Sequence, residues 1–225
     1  INDRKNILKK TLLIIFNSKW TLDQFTKGIE KIDYKDKLMI IHQSTDKKKV
    51  NFKTKKKIII FVGRLNKSKG YDLFGNAVIN ILNKYPDWKA LAIGDEYREK
   101  LVFKHKRFKI LSFQNNNKVK NWFKKSDISV VCSRIEEPFG RTALEASSAG
   151  CAVIISNRGG LPEASSSAIK IKELTIQNLQ NKIEMLIKNE NYKKTLQKKI
   201  YKRFNLTNKL ASKKIDAYRI QLITS

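Results

Sequence analysis

Ile128-Ser129-Val130-Val131-Cys132-Ser133-Arg134-Ile135-Glu136-Glu137-Pro138-Phe139-Gly140-Arg141-Thr142-Ala143-Leu144-Glu145 passes from one structural period to another. Ile128 to Cys132 is a short apolar run of the kind that forms a parallel strand covered on both faces. Thr142 to Ala149 reads as a helix. The loop between them ends in Gly140, which has no Cβ to keep a ligand away from the backbone. Just beyond it, the amides of Arg141 to Leu144 fall in a first helical turn, where no intrahelical carbonyl receives them. Together with the helix dipole they favour an anion such as a phosphate.

Working outward, strands and helices alternate. Ile58 to Val62 is a β-branched run closed by Gly63. Tyr71 to Lys84 carries Leu73, Ala77, Val78, Ile81 and Leu82 on one helical face, and Pro86 ends it. Further strands are expected at Lys89–Ile93, Phe108–Phe113, Cys151–Ser156 and Ile169–Ile171. A helix is expected at Asn117–Lys125, with Val119, Trp122 and Phe123 inward, and helical patterns fill most of Thr175 to Ile223. Such alternation predicts an α/β domain with a doubly wound parallel sheet and a helical C-terminal extension. Folds of this kind bind ligands at the carboxyl ends of their strands. The first fifty residues differ: strands at Leu12–Phe16 and Leu38–Ile41 flank a short helix at Thr21–Ile29. Lys47 to Lys57 is polar and Lys-dense, as a linker or exposed loop would be.

Two loops at strand ends carry charge suited to one ligand. Glu137 precedes the anion-binding helix turn and Glu145 lies inside the helix. Carboxylates on both flanks of an anion site suit a ligand with hydroxyl groups on both sides of a phosphate, and a nucleotide-sugar has that shape. The second loop is Gly63-Arg64-Leu65-Asn66-Lys67-Ser68-Lys69-Gly70. Arg64 leaves the end of a buried strand and Lys69 precedes the next helix, so both charges are expected to face the same crevice. Arg grips phosphate bidentately and Lys acts as a point charge. Lys67 alone reads as part of a solvated basic loop.

Composition narrows the class. Of 225 residues, 41% are hydrophobic, ordinary for a globular protein. Leu12 to Phe16 is far too short to span a bilayer. Cys132 and Cys151 both fall in apolar strand-like runs without metal-ligand spacing, as expected of reduced, buried thiols in a cytoplasmic protein. The net charge is +28. Lys pairs are spread over the whole chain, which fits a solvated surface first. Docking on an anionic membrane leaflet comes second. No nucleic-acid reader motif is present, so nucleic acid is not an expected partner. The chain begins at Ile1 rather than Met, which is read as a fragment.

These motifs resemble the retaining glycosyltransferases of family 4, the group 1 set with the GT-B fold. The resemblance rests on Gly63-Arg64 followed by Lys69-Gly70, on Glu137 and Glu145 with seven residues between them, and on Gly159-Gly160-Leu161-Pro162-Glu163, all in the family's order and each at a strand end. It implies that Arg64 and Lys69 hold the diphosphate and stabilise charge on the leaving nucleotide, and that Glu137 contacts the donor sugar, making these three the catalytic candidates. Gly63 and the backbone around Phe139, Gly140, Arg141 and Thr142 would bind donor, and Glu145 the ribose. The donor would be a nucleotide-diphosphate sugar, with no cofactor and no metal expected, since the sequence lacks an Asp-x-Asp motif. The acceptor would be a saccharide or a lipid-linked sugar in cell-envelope polysaccharide or lipopolysaccharide synthesis. The site would be cytoplasmic, with peripheral attachment to the inner membrane face as an option.

The resemblance also divides the chain. Residues 1–45 are expected to be a remnant of an N-terminal acceptor domain and 46–57 a linker. Residues 58–200 would form the Rossmann-like donor domain, and 201–225 a helix returning toward the N-terminal domain. His42 falls in Ile41-His42-Gln43-Ser44-Thr45-Asp46, which resembles the family's interdomain segment but lacks its Gly; neither His42 nor His105 is assigned a catalytic part. The Asn-rich stretch from Ser112 to Asn115, where the family's base-binding backbone runs, leaves the base open. Two other readings stand beside this one: a GT-B nucleotide-sugar 2-epimerase, and a non-catalytic nucleotide-sugar or polyanion-binding module.

Overall fold

A computed structural model describes residues 2–29 and 32–224; Ile1 lies outside them. In chain order the elements are α1 (Asn2–Lys10), β1 (Ile14–Phe16), α2 (Lys19–Thr26), β2 (Leu38–Ile40), β3 (Lys56–Val62), α3 (Tyr71–Lys84), β4 (Lys89–Ile93), β5 (Phe108–Leu111), α4 (Asn116–Lys125), β6 (Ser126–Val131), α5 (Arg141–Ser148), β7 (Ala152–Ser156), α6 (Leu161–Ala164), β8 (Ile169–Ile171), α7 (Ile176–Lys188), α8 (Glu190–Arg203) and α9 (Asn208–Thr224).

The six strands from β3 to β8 form one parallel sheet in the order β5-β4-β3-β6-β7-β8. Strand order therefore reverses between β3 and β6, and a crevice opens at that switch point, outside the strand ends. β6 and β7 are buried along their whole length; β7 is accordingly apolar from Ala152 to Ile155, while β6 buries Ser126, Asp127 and Ser129 as well. α3 packs against α7, while α4 meets α5 and α5 meets α8, so helices cover both faces as right-handed crossovers require. α3 buries the five expected apolar positions. The Leu, Val and Ile side chains among them are each worth roughly 1.5–3 kcal/mol for leaving water. In α4, Val119 and Phe123 are buried and Trp122 is half-buried.

One ion pair fastens a helix to the central sheet. Lys193 of α8 is 1% exposed and reaches Asp127 of β6 at 3.0 Å. Gln197 donates to the same carboxylate at 2.9 Å, and the Lys193 ammonium lies 4.8 Å from the centre of the Trp88 ring. The buried polar groups here are thus satisfied.

The structure adjusts several expected boundaries. The helical stretch after Thr175 is divided into α7, α8 and α9. Asn189 ends the first and caps the second, accepting from the Tyr192 amide at 2.8 Å. Buried Phe204 and the turn to Thr207 separate the second from the third. α1 and α6 were not expected. The Lys-dense segment before β3 is not a free loop. Asn51 caps a short 3-10 turn at Phe52–Thr54, whose Phe52 ring meets Tyr201 edge-on. β3 then begins at Lys56, two residues inside the expected linker. Lys55 donates to the carbonyls of Phe123, Lys124 and Ser126 at 3.2, 3.3 and 2.8 Å, placing its charge at the carboxyl end of α4 where the helix dipole favours a cation.

β1 and β2 form a separate parallel pair in register Ile14 with Leu38 through Phe16 with Ile40. α9 buries none of its residues and leaves Leu210, Ile215, Ile220, Leu222 and Ile223 exposed.

Candidate functional site

At the switch point lies a cavity of about 270 Å³. Val62 and Gly63 from the end of β3, Val131 and Ser133 from the end of β6, and Lys69 line it. Glu137, Pro138, Phe139, Gly140, Arg141 and Thr142 line it as well, together with Asn17 and Gln43. Gly140 is the N-cap of α5 and has φ of +107°, a conformation that L side chains rarely adopt. A Cβ there would also strike the Leu161 side chain. No side chain caps this helix end, so the amides of its first turn are open toward the cavity.

Lys69 and Glu137 meet inside the cavity, with the ammonium 2.5 Å from Oε1. The Ser133 hydroxyl donates to the same oxygen at 2.5 Å. Both of these partners sit on Oε1, and among the described residues no donor is recorded on Oε2. Backbone contacts brace the loop behind them. The Gly160 amide donates to the Glu137 carbonyl at 2.7 Å, and the Gly159 amide donates to the Glu136 carboxylate. Of the expected site residues, Gly63, Lys69, Glu137, Phe139, Gly140, Arg141 and Thr142 come together on this one cavity.

Arg64 and Glu145 do not line it. Arg64 follows the lining residue Gly63 and is exposed, with no side-chain ion pair or hydrogen bond among the described residues. Glu145 lies one turn deeper in α5, 8% exposed, with Arg141 Nη2 at 3.2 Å from its carboxylate. Of the three residues expected to ring one crevice, Glu137 lines the cavity itself. The other two stand one residue and one helical turn away from its lining. The reason for Glu145 is helical geometry: four residues after Arg141 it shares a helix face with it but is set further from the open end. At the neighbouring strand ends, the Asp95 carboxylate accepts from the Phe113 amide at 2.7 Å, which ties the loop after β4 to the Asn-rich stretch after β5.

Sequence reading missed two polar partnerships. Ser133 has no signal of its own beyond standing four residues before Glu137. The other is a node at Glu163, in the Gly-Gly-x-Pro-Glu motif. Its carboxylate accepts from the Lys19 amide at 2.7 Å, the Trp20 amide at 3.0 Å and His42 Nε2 at 3.0 Å. Burial pushes this carboxyl up, but the two amides and the His42 ring outweigh burial and its pKa lies below the ordinary value. The Ser18 hydroxyl, cap of α2, donates to the Pro138 carbonyl at 2.6 Å. The first turn of α2 is thus seated on the loop that leads into α5. A larger cavity, about 360 Å³, lies beyond His42 and Glu163 beside Phe204 to Thr207. Neither Lys69 nor the open end of α5 lines it.

Cys132 and Cys151 are free and buried. Burial pushes the Cys132 thiol up to about 12 and raises Cys151 as well, so neither is a nucleophile at neutral pH. Among the described residues no three His, Cys, Asp or Glu side chains gather as a metal site, and no helix is long and apolar enough to cross a membrane.

Residues 42–203 match the family described as glycosyl transferases group 1. The chain belongs to that family. It is 32% identical over 159 residues to an uncharacterized glycosyltransferase of Methanocaldococcus jannaschii, covering 67% of this chain and 37% of the relative. It is 29% identical over 127 residues to the lipopolysaccharide core biosynthesis mannosyltransferase LpsB of Rhizobium meliloti, covering 52% and 36%. It therefore spans little more than a third of the length of these curated relatives. Among solved structures, the C-terminal domain of a group 1 glycosyl transferase, LpcC, from Francisella tularensis is 31% identical. It superposes with a TM-score of 0.56 over 67% of this chain and 85% of that one. The Anabaena protein HepE, solved with UDP and glucose, shares the fold at 17% identity and a TM-score of 0.79, over 98% of this chain and 67% of that one. The Rossmann-like half of a GT-B fold is thereby established for this group 1 chain.

Proposed function

We propose that this chain is the donor-binding half of a retaining glycosyltransferase that moves a sugar from a nucleoside-diphosphate sugar to a saccharide or lipid-linked acceptor. The observation that carries the reading is the meeting of Lys69, Glu137 and the open amino end of α5 on one cavity at the topological switch point. An anion placed there meets a fixed cation and unpaired amides aimed at one place, and such preorganised donors stabilise charge as it develops on a leaving group. Lys69 and Arg64 hold the diphosphate, Arg64 swinging inward. Glu137 receives sugar hydroxyls on Oε2. The Gly140–Thr142 backbone binds phosphate and sugar, and Glu145 receives the ribose. Two cations and a helix end supply the charge stabilisation that a divalent ion supplies in other enzymes, so turnover needs no metal.

The same reading assigns residues 1–45 to an acceptor domain, 46–57 to a linker, 58–200 to the donor domain and 201–225 to the returning helix. Parallel sheets are almost always covered on both faces, and a two-stranded parallel pair such as β1–β2 fits the margin of a larger sheet. The relative from Rhizobium meliloti acts in lipopolysaccharide core synthesis, which supports an envelope polysaccharide as the product. The charge of +28 supports attachment to an anionic membrane surface on the cytoplasmic side.

A panel of UDP-, GDP- and ADP-sugars, read by melting temperature, tests the reading. A ligand at one hundred times its Kd stabilises by about 2.7 kcal/mol. For a chain of this size that is a rise of roughly 5–11 °C. The rise is expected for one base with EDTA present. No shift with any member at millimolar concentration would remove the donor-site assignment.

A further inference from the structure

Lys69 is a long, flexible side chain, so the position of its ammonium depends on how firmly its backbone is held. It ends the 3-10 turn Lys67–Lys69. Asn66 holds that turn from one side. Its Oδ1 accepts from the Lys69 amide at 3.0 Å and the Ser68 hydroxyl at 2.8 Å, and its amide nitrogen donates to Glu96 at 2.8 Å. Arg134 holds it from the other. Its two terminal nitrogens grip Asp72 at 2.6 and 2.7 Å, and one of them also donates to the Lys67 carbonyl at 2.6 Å. The Arg134 amide donates to the Ser68 carbonyl at 2.9 Å. Gly70 closes the turn with φ of +75°, and a Cβ there would collide with the Cys132 carbonyl. The segment leaving β6 is therefore docked directly on the turn that bears Lys69, and three residues later the same segment delivers Glu137. Arg134 itself does not line the cavity.

We propose that Arg134 is a positioning residue for Lys69: locked onto Asp72 and the Lys67 carbonyl, it fixes the Lys67–Lys69 turn to the Glu137 segment so that the cation arrives at the diphosphate site already placed. This rests on the reading of the cavity as the donor site. A bidentate guanidinium suits the task because its planar fork fixes direction as well as distance. A lysine at the same place keeps the charge but cannot bridge Asp72 and the carbonyl in that geometry.

The test is calorimetric titration of this chain with UDP, GDP or ADP, whichever binds, in a double-mutant cycle of Arg134→Ala and Lys69→Ala, with Arg134→Lys and Asp72→Asn alongside. Lys69→Ala is expected to weaken binding about tenfold, the weight of one charge-assisted hydrogen bond. Arg134→Ala is expected to weaken it by a similar factor alone, and by less than about twofold once Lys69 is already alanine, because independent sites would instead multiply. Arg134→Lys and Asp72→Asn, which disturb folding least, are expected to lose affinity in the same Lys69-dependent way. Wild-type affinity in Arg134→Lys would overturn the proposal, leaving only a charge effect. A full loss from Arg134→Ala in the Lys69→Ala background would overturn it as well, leaving a general structural role. Unchanged binding in Lys69→Ala would instead refute the donor-site reading on which it rests.

Discussion

Replacing Glu145 with Gln separates a binding role from a structural one. Glu145 is 8% exposed, and the charged partner of its carboxylate is Arg141, four residues earlier on the same helix, at 3.2 Å. Arg141 is itself 57% exposed. Pairs of this i, i+4 type contribute about 0.3–0.5 kcal/mol, so Glu145→Gln should move the melting temperature by no more than about 2 °C. If the carboxylate receives ribose hydroxyls, the loss on binding is much larger. Hydrogen bonds to a charged group are worth roughly 1.5–3 kcal/mol, a weakening on the order of tenfold to a hundredfold. Free nucleoside diphosphate and nucleotide-sugar should suffer equally, because ribose is common to both. Arg64→Ala provides the contrast. Arg64 has no partner to lose among the described residues, and in a complete enzyme its removal should lower kcat more than affinity, since charge on the diphosphate grows in the transition state. Calorimetry on both variants checks this. Normal nucleoside-diphosphate binding by Glu145→Gln, with the melting temperature intact, would show that the helix face behind the cavity does not bind the nucleotide.

Two further outcomes follow from the fold. Asp127→Ala leaves the ammonium of Lys193 buried without its main partner, which typically costs about 3–5 kcal/mol; a fall in melting temperature of roughly 6–20 °C is expected, and a fall below about 2 °C would show that α8 is not anchored as described. Glu96 is held at about 2 by the Arg98 side chain first, then by the Asn66 side chain and the Arg98 amide. Its folded value is depressed, so its contacts support the Asn66 loop above the ordinary carboxylate range and are lost as pH falls toward about 2. A carboxyl NMR titration should find Glu96 still ionised where ordinary glutamates are half-protonated; a midpoint near 4.5 would show that these contacts do not persist in solution.

The sheet was legible because its central strands are buried on both faces. Ile58 to Val62 is wholly apolar, and Ile128 to Cys132 is broken only by Ser129. The loops at their ends were legible through charge and glycine: Lys69, Glu137 and Gly140 were each expected at the crevice and all line it. What escaped was geometry finer than sequence spacing. The interval from Glu137 to Glu145 does not reveal that the second carboxylate turns along the helix toward Arg141. Arg134 lies between recognised motif residues, and nothing in its position announces that it reaches Asp72, 62 positions away. The node at Glu163 joins residues separated by more than 120 positions, a contact that local pattern cannot encode. Its clue was the Gly-Gly-x-Pro-Glu motif, which identified the residue but not its partners. The Lys-rich segment before β3 looked like solvent-exposed linker because its composition is polar; Lys55 instead uses its charge on the carbonyl end of α4.

A crystal structure of this chain with its preferred nucleoside diphosphate would test the central claim most directly. The account expects the diphosphate in the cavity between the ends of β3 and β6, within hydrogen-bond distance of Lys69 Nζ and the first amides of α5, with the ribose toward Glu145. A diphosphate bound instead in the larger cavity beside Glu163 and Phe204, with the α5 end empty, would contradict it.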